Sequence, residues 1–301
     1  MASPQAQQLK ETFREFRDAN FANPDATLEQ MRANAVGFGE LTSEPDGVRS
    51  EPVDAGGVPA QWIIPDGAAE DRVLQYVHGG GYVLMSAETH RKMVGHIAKA
   101  TGCRALNVDY RLAPEHAHPA AVEDSVTAYR WLLAQGLEPG HIAISGDSAG
   151  GGLCIATALK IRDLDLPLPA AIVPISPWTD MEGTGKSMET RADVDMIVSP
   201  DAIMQLSGVF LGGADPRDPY AAPHHADPAG LPPTYIQVGD EEVLLDDSIR
   251  FADKAKQAGV DVTLEIFPEM QHVFQIAAGN LPEADEAIAK IGAWLRTKLD
   301  L

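Results

Sequence analysis

Ser145-Gly146-Asp147-Ser148-Ala149-Gly150-Gly151 is the part of this chain best suited to covalent chemistry. An apolar run, His141-Ile142-Ala143-Ile144, precedes it, and a helical pattern, Gly152 to Lys160, follows it. Strand, sharp turn and helix place Ser148 at the apex of a G-x-S-x-G, where small neighbours allow a strained backbone to lift the hydroxyl toward a substrate. Alone, such a motif arises often by chance; between a strand and a helix it is specific.

A second element fits the same chemistry. The apolar strand Val73-Leu74-Gln75-Tyr76-Val77 runs into His78-Gly79-Gly80-Gly81-Tyr82. Acyl transfer passes through a tetrahedral oxyanion, which preorganised backbone N–H groups stabilise. Glycines let backbone approach a substrate unobstructed. The expected donors are the N–H groups of Gly80, Gly81 and Ala149, the last following the nucleophile. The simpler alternative for the glycines is a flexible turn. A nucleotide loop does not fit, because G-x-G-x-x-G and a following Gly-Lys-Ser/Thr are absent.

A serine needs a base, and the base an orienting carboxylate, in the chain order serine, acid, histidine. Of nine histidines, His272 alone lies well after Ser148 and directly beyond a late strand, Val262–Phe267. His224 and His225 are candidates to line the pocket, and His78 to brace the glycine loop. His90, His96, His116, His118 and His141 read as surface or packing residues. The acid lies in Gly239-Asp240-Glu241-Glu242-Val243-Leu244-Leu245-Asp246-Asp247. Asp246 and Asp247 suit a helix N-terminus, which leaves Asp240 and Glu242 open. Tyr82, Trp178, Met181 and Ile203 read equally as pocket or core.

These groups need a scaffold that brings loop ends together. The 301 residues suffice for one large α/β domain with decorations. Residues 48–53 and 58–64 read as edge strands of an antiparallel part. Strands at 73–77, 104–109, 141–145, 170–175, 234–238 and 262–267 then alternate with helices near 88–100, 119–134 and from Ala149. That alternation predicts a mostly parallel sheet with helices on both faces, whose ligands bind at the carboxyl ends of the strands. Before the strands, residues 5–20 are helical, with Leu9, Phe13, Phe16 and Ala19 on one face, and a second helix follows Pro24 around Leu28 to Arg32. Residues 181–226 break the alternation; Ser199-Pro200 opens a helix there.

A formal charge of −21 argues against nucleic acid and anionic membranes as partners and suits solubility. Cys103 and Cys154 read as small buried hydrophobes. Neither a leader nor a membrane span is visible, so the expectation is a soluble, cytoplasmic protein.

The chain resembles the hormone-sensitive-lipase family of α/β-hydrolases, the bacterial family IV esterases. The resemblance rests on His78-Gly79-Gly80-Gly81, Asp109-Tyr110-Arg111-Leu112-Ala113-Pro114-Glu115, Gly146-Asp147-Ser148-Ala149-Gly150-Gly151 and Ser176-Pro177-Trp178, and covers residues 48–301 in order. The family carries Asp-Pro-Leu-x-Asp at its acid loop. Laid onto Glu242-Val243-Leu244-Leu245-Asp246, that pattern puts the acid at Glu242, with glutamate for aspartate and valine for proline. Glu242 then precedes His272 by 30 residues, the family's usual spacing.

The resemblance implies an α/β-hydrolase fold: cap helices at 1–45, a catalytic core at 46–180 and 227–301, and a cap insertion at 181–226. It implies a carboxylesterase acting on short or small acyl esters through Ser148, His272 and Glu242, without cofactor or metal. Homodimerisation through the last strand is a further implication. Lactone, amide or deacetylation chemistry on the same triad is the alternative. A non-catalytic receptor is remote, because such relatives lack the histidine kept here as His272.

Overall fold

The computed structural model describes residues 2–20 and 25–301. Pro24, which the second helix was expected to follow, lies outside the described residues. The chain opens with α1 (Pro4–Asn20) and α2 (Leu28–Ala35). Thr27 starts α2 with a capping box: its hydroxyl accepts from Gln30 N at 3.2 Å, and the Gln30 side chain accepts from Thr27 N at 2.9 Å. On α1 the buried stripe is Ala6, Leu9, Phe13 and Asn20. Ala19, expected on the apolar face, is exposed, while Asn20 turns inward and donates to Phe16 O.

The strands are β1 (Val48–Asp54), β2 (Pro59–Pro65), β3 (Ala69–Val77), β4 (Cys103–Val108), β5 (Ile142–Asp147), β6 (Ala171–Ile175), β7 (Thr234–Gly239) and β8 (Val262–Phe267). They form a single sheet in the order β1-β2-β4-β3-β5-β6-β7-β8. β1 and β2 are antiparallel, as their edge position in the sequence suggested, and β3 to β8 run parallel. This is the mostly parallel sheet expected from the alternation, arranged as the α/β-hydrolase fold that the family resemblance implies.

Both faces are covered, which is why β5 and β6 read as continuous apolar runs rather than alternating ones. On one face pack α3 (Ala87–Thr101) and α9 (Pro282–Lys298), through Met93, Ile97, Ile288, Ile291 and Leu295, with Leu9 and Phe13 of α1 beside them. The other face carries α4 (Ala120–Ala134), α5 (Ala149–Asp163) and α8 (Leu245–Gln257), through Val126, Tyr129, Leu153, Ile155 and Phe251. Between β6 and β7 the chain leaves the sheet and forms α6 (Ser187–Thr190) and α7 (Pro200–Leu211). Ser199 caps α7, with Pro200 at its first position, as expected. Helix α9 is absent from the sequence-based expectations, although Ala284, Ala287, Ile288, Ile291 and Leu295 repeat at helical spacing.

Cys103 and Cys154 are both buried and unpaired. Among the described residues, no helix is long and apolar enough to cross a membrane.

Candidate active site

Parallel neighbours end side by side, so the loops after β3, β5, β6, β7 and β8 converge at one end of the sheet. The loop after β5 carries Ser148, whose backbone sits at φ 55°, ψ −120°, a region a side chain rarely adopts. The turn has no room for neighbours larger than glycine. A Cβ on Gly146 would lie 2.3 Å from Gly150 O, and one on Gly150 would lie 2.1 Å from Val77 O. Ser148 is partly exposed, whereas Asp147 and Ala149 on either side are buried.

The loop after β3 is braced from beneath. Burial, helped by neighbouring His90, lowers the His78 pKa to about 3, so the ring is neutral. Its Nδ1 lies 2.7 Å from Gly79 O, and the ring stacks on Tyr110 at 4.3 Å. The Tyr110 hydroxyl donates to His78 O at 2.7 Å. Arg111 pairs with buried Asp124 at 2.7 Å, which anchors the stretch that follows β4. Gly79 N donates to Asp147 Oδ1 at 3.1 Å, an oxygen that also accepts from Tyr76 OH at 2.7 Å. The other Asp147 oxygen lies 3.2 Å from His90 Nε2. His90, expected to be an ordinary packing residue, thus holds the residue before the nucleophile. Its isolated position on a helix carried no signal of that contact.

The acid and base loops meet behind Ser148. His272 Nδ1 lies 2.8 Å from Glu242 Oε2. Glu242 is fully buried, and its Oε1 accepts from Ser176 Oγ at 2.7 Å and Gly239 N at 2.5 Å. Ser176 also accepts from Val273 N at 3.3 Å, so one hydroxyl ties the loop after β6 to both acid and base. Sequence reasoning gave Ser176 no role; its place before Pro177-Trp178 was the available signal. Asp240, the competing acid, instead accepts from Glu269 N at 2.6 Å, and the carboxylate that pairs with His272 is that of Glu242. Burial by itself would lower the His272 pKa, but the carboxylate of Glu242, joined by Asp195 and Asp147, raises it above its ordinary value.

Ser148, His272, Gly80 and Gly81 line one cleft enclosing about 640 Å³, part of it open to solvent. Among the described residues no direct hydrogen bond joins the Ser148 hydroxyl to the imidazole. Catalytic contacts in ligand-free sites are often long and tighten on substrate binding. Ala149 lies at the first turn of α5, with its side chain buried. The cleft walls are apolar: Phe16 of α1, Phe38, Leu84 and Trp178, with Ile203 and Leu206 of α7. Tyr82 and Met181 are core residues that do not reach the cleft. Nor do His224 and His225, contrary to expectation. Lys254 of α8 donates to His224 O, and His225 lies 3.4 Å from Glu182.

Asp180, Glu182 and His225 are the grouping of metal-ligand type among the described residues. Its acids are already engaged: Asp180 by Arg250 at 3.0 Å and Glu182 by Arg217 at 2.9 Å. The cluster is an ion-pair network outside the cleft. Asp247, expected at a helix N-terminus, lies in the first turn of α8 and accepts from Thr179 N and Asp180 N at 2.8 and 2.9 Å.

Residues 74–276 match the α/β-hydrolase-fold family. Over 99% of its length the chain is 42% identical to an acetyl-hydrolase of Streptomyces hygroscopicus, of which it covers 98%. It is 36% identical to an esterase of Acinetobacter venetianus, with 84% of each chain aligned. A crystal structure of an esterase from the bacterial hormone-sensitive lipase family superposes with a TM-score of 0.95 and 46% identity, covering 99% of both chains.

Proposed function

The chain belongs to the hormone-sensitive-lipase family of α/β-hydrolases and is a carboxylesterase, and we propose that it cleaves small acyl esters through Ser148, His272 and Glu242 by way of an acyl-enzyme. The observation that carries this reading is the buried Glu242–His272 contact at 2.8 Å, beside a strained serine in the same cleft.

In this mechanism Ser148 Oγ attacks the ester carbonyl and its proton passes to His272 Nε2. Nδ1 is the nitrogen held by Glu242, so the carboxylate selects the tautomer and stabilises the imidazolium. The negative charge that develops on the carbonyl oxygen is met by the N–H groups of Gly80, Gly81 and Ala149. The N–H of Gly79 is already given to Asp147, which supports the two later glycines as donors. The tetrahedral adduct collapses, His272 Nε2–H protonates the departing alcohol, and Ser148 keeps the acyl group. Water, deprotonated by the same imidazole, then releases the carboxylic acid.

Residues 1–45 and 181–226 act in this reading as a two-part cap, supported by Phe16 and Phe38 from the first part and Ile203 and Leu206 from the second lining the cleft. The apolar walls and the full-length likeness to an acetyl-hydrolase favour a small acyl group. Strand β8 is the sheet's edge, with Ile266 exposed, and two copies pair along it. A monomer by light scattering at micromolar concentration would reject that pairing.

The test is covalent trapping. A p-nitrophenyl dialkyl phosphate should lose one p-nitrophenolate as Ser148 Oγ forms a bond to phosphorus. Peptide mass spectrometry should then find the label on Ser148. An unlabelled Ser148, or label on another residue with activity lost, would overturn the assignment. Comparing p-nitrophenyl esters of increasing acyl length with lactones and anilides then places the substrate: esters should be turned over fastest.

A further inference from the structure

The proposed mechanism leaves one buried carboxylate at the site unused. Asp195, between α6 and α7, is fully buried, a position a carboxylate keeps only with well-placed donors. Its Oδ1 accepts from Ile197 N at 3.0 Å and Val198 N at 2.8 Å, and its Oδ2 accepts from Val243 N at 2.9 Å. Ile197 and Val198 line the cleft. Val243 is the residue after Glu242. A single side chain therefore ties a wall of the cleft to the loop that carries the acid.

Gln271 makes a second tie, on the histidine side. Its Oε1 accepts from Met196 N at 2.7 Å, and its Nε2 donates to Val194 O at 3.0 Å and Glu241 Oε2 at 2.7 Å. Gln271 is the residue before His272. Residues 194–198 are thus fastened to both loops behind the serine by polar contacts at successive positions.

We propose that Asp195 is a positioning residue for this site, acting through the Val243 N–H on Glu242 and through Ile197 and Val198 on the cleft wall, with Gln271 as its counterpart beside His272. The inference rests on the triad reading above. Its electrostatic surroundings fit. Glu242 and His272 face Asp195 from the acid and base loops, and Asp147 faces His272 from the elbow. On α1, Arg17 donates to the backbone oxygen of Asp195 rather than to its carboxylate, and Lys10 pairs with Glu241. Arg191 donates to Asp240 O. Burial raises the Asp195 pKa to about 6, against the pull of His272 and of the Val198 and Val243 amides. The reciprocal effect is that a charged Asp195 favours the imidazolium.

Asp195→Asn tests this with one atom changed. The asparagine oxygen can keep the Ile197 and Val198 contacts, but its NH₂ cannot accept from Val243 N. The expected result on p-nitrophenyl acetate is a kcat lower by about 10- to 100-fold, since small displacements of reacting groups are costly. The acid limb of kcat/KM should also move to lower pH, because an anion beside His272 has gone. In a Glu242→Gln background the same change should cost little further, because its route is already cut. A variant of lower melting temperature with unchanged kcat and pH profile would overturn the proposal, as would a full, multiplicative loss in the Glu242→Gln background. Should Asp195→Asn not fold, Gln271→Met removes the companion tie and must lower kcat likewise; wild-type kcat there overturns the proposal. Failure of the triad reading is separable, because only that would leave Ser148 unlabelled by the organophosphate.

Discussion

The carboxylate of Glu242 lies 2.8 Å from His272 Nδ1 and gives its second oxygen to Ser176 Oγ and Gly239 N, at 2.7 and 2.5 Å. Three loops, those after β6, β7 and β8, are therefore referenced to one side chain. Glutamate is a methylene longer than the family's aspartate, and its second oxygen is fixed by a hydroxyl and an amide rather than left to swing.

Removing that charge while keeping the shape should expose its role. For Glu242→Gln we expect kcat to fall on the order of 10³- to 10⁴-fold with KM little changed, because the imidazole loses its tautomer and the imidazolium its counter-charge. Steady-state kinetics on p-nitrophenyl acetate measures it. A loss under tenfold would return the acid to Asp240.

The pH profile follows from the same contact. Glu242, with Asp195 and Asp147, holds the His272 pKa above its ordinary 6.5, against burial. Only the neutral ring can accept the serine proton, so kcat/KM should be full above that raised value and lost as pH falls through it. The acid limb should have its midpoint above 6.5, and Glu242→Gln should move it down. A wild-type midpoint below 6.5 contradicts the assignment.

The elbow predicts a stability contrast between two glycines. Gly146→Ala places a Cβ 2.3 Å from a backbone oxygen and should destabilise by about 1–3 kcal/mol or prevent folding. A Cβ on Gly140 would have nothing within 4 Å, so Gly140→Ala should be neutral or stabilise by about 0.4–1 kcal/mol. Thermal melts of the two variants check the ordering, and equal effects would count against a turn closed by sterics.

Acyl size should be set where α7 meets the glycine loop. A Cβ on Gly81 would lie 2.6 Å from Leu206 Cδ1, so this leucine closes the cleft against the expected oxyanion donors. Leu206→Ala should raise kcat/KM for hexanoate relative to acetate by about tenfold, the scale of a few methylenes in an apolar pocket. An unchanged ratio would show that another wall limits the chain.

Much of this was legible before any coordinate. Strand–turn–helix around Ser148, the glycines after β3 and the alternation of apolar runs are local patterns, and local patterns report backbone geometry directly. The acid was narrower: position just past a strand left Asp240 and Glu242 open, and the family's loop pattern favoured Glu242. The role of His90 was illegible and that of Ser176 was marked only by its place before Pro177-Trp178, because each depends on a partner 57 or 66 residues away in the chain. The exposure of Ala19 and the displacement of His224 and His225 from the cleft have the same origin: helical spacing or a place in the insertion names candidates, but neighbouring elements decide which are buried and what they face.

The amino-acid sequence by itself determined the chemistry on offer: a serine lifted by a glycine turn, amides bared by glycines, one late histidine and a short set of acids. The tertiary structure alone decided which of these meet. Sheet order brings β3, β5, β6, β7 and β8 side by side, and parallel strands end together, so loops far apart in sequence share one end. Which carboxylate faces the imidazole depends on contacts of a few ångströms across those loops. Such contacts come from the packing of the whole sheet and its helices, which no local stretch of sequence encodes.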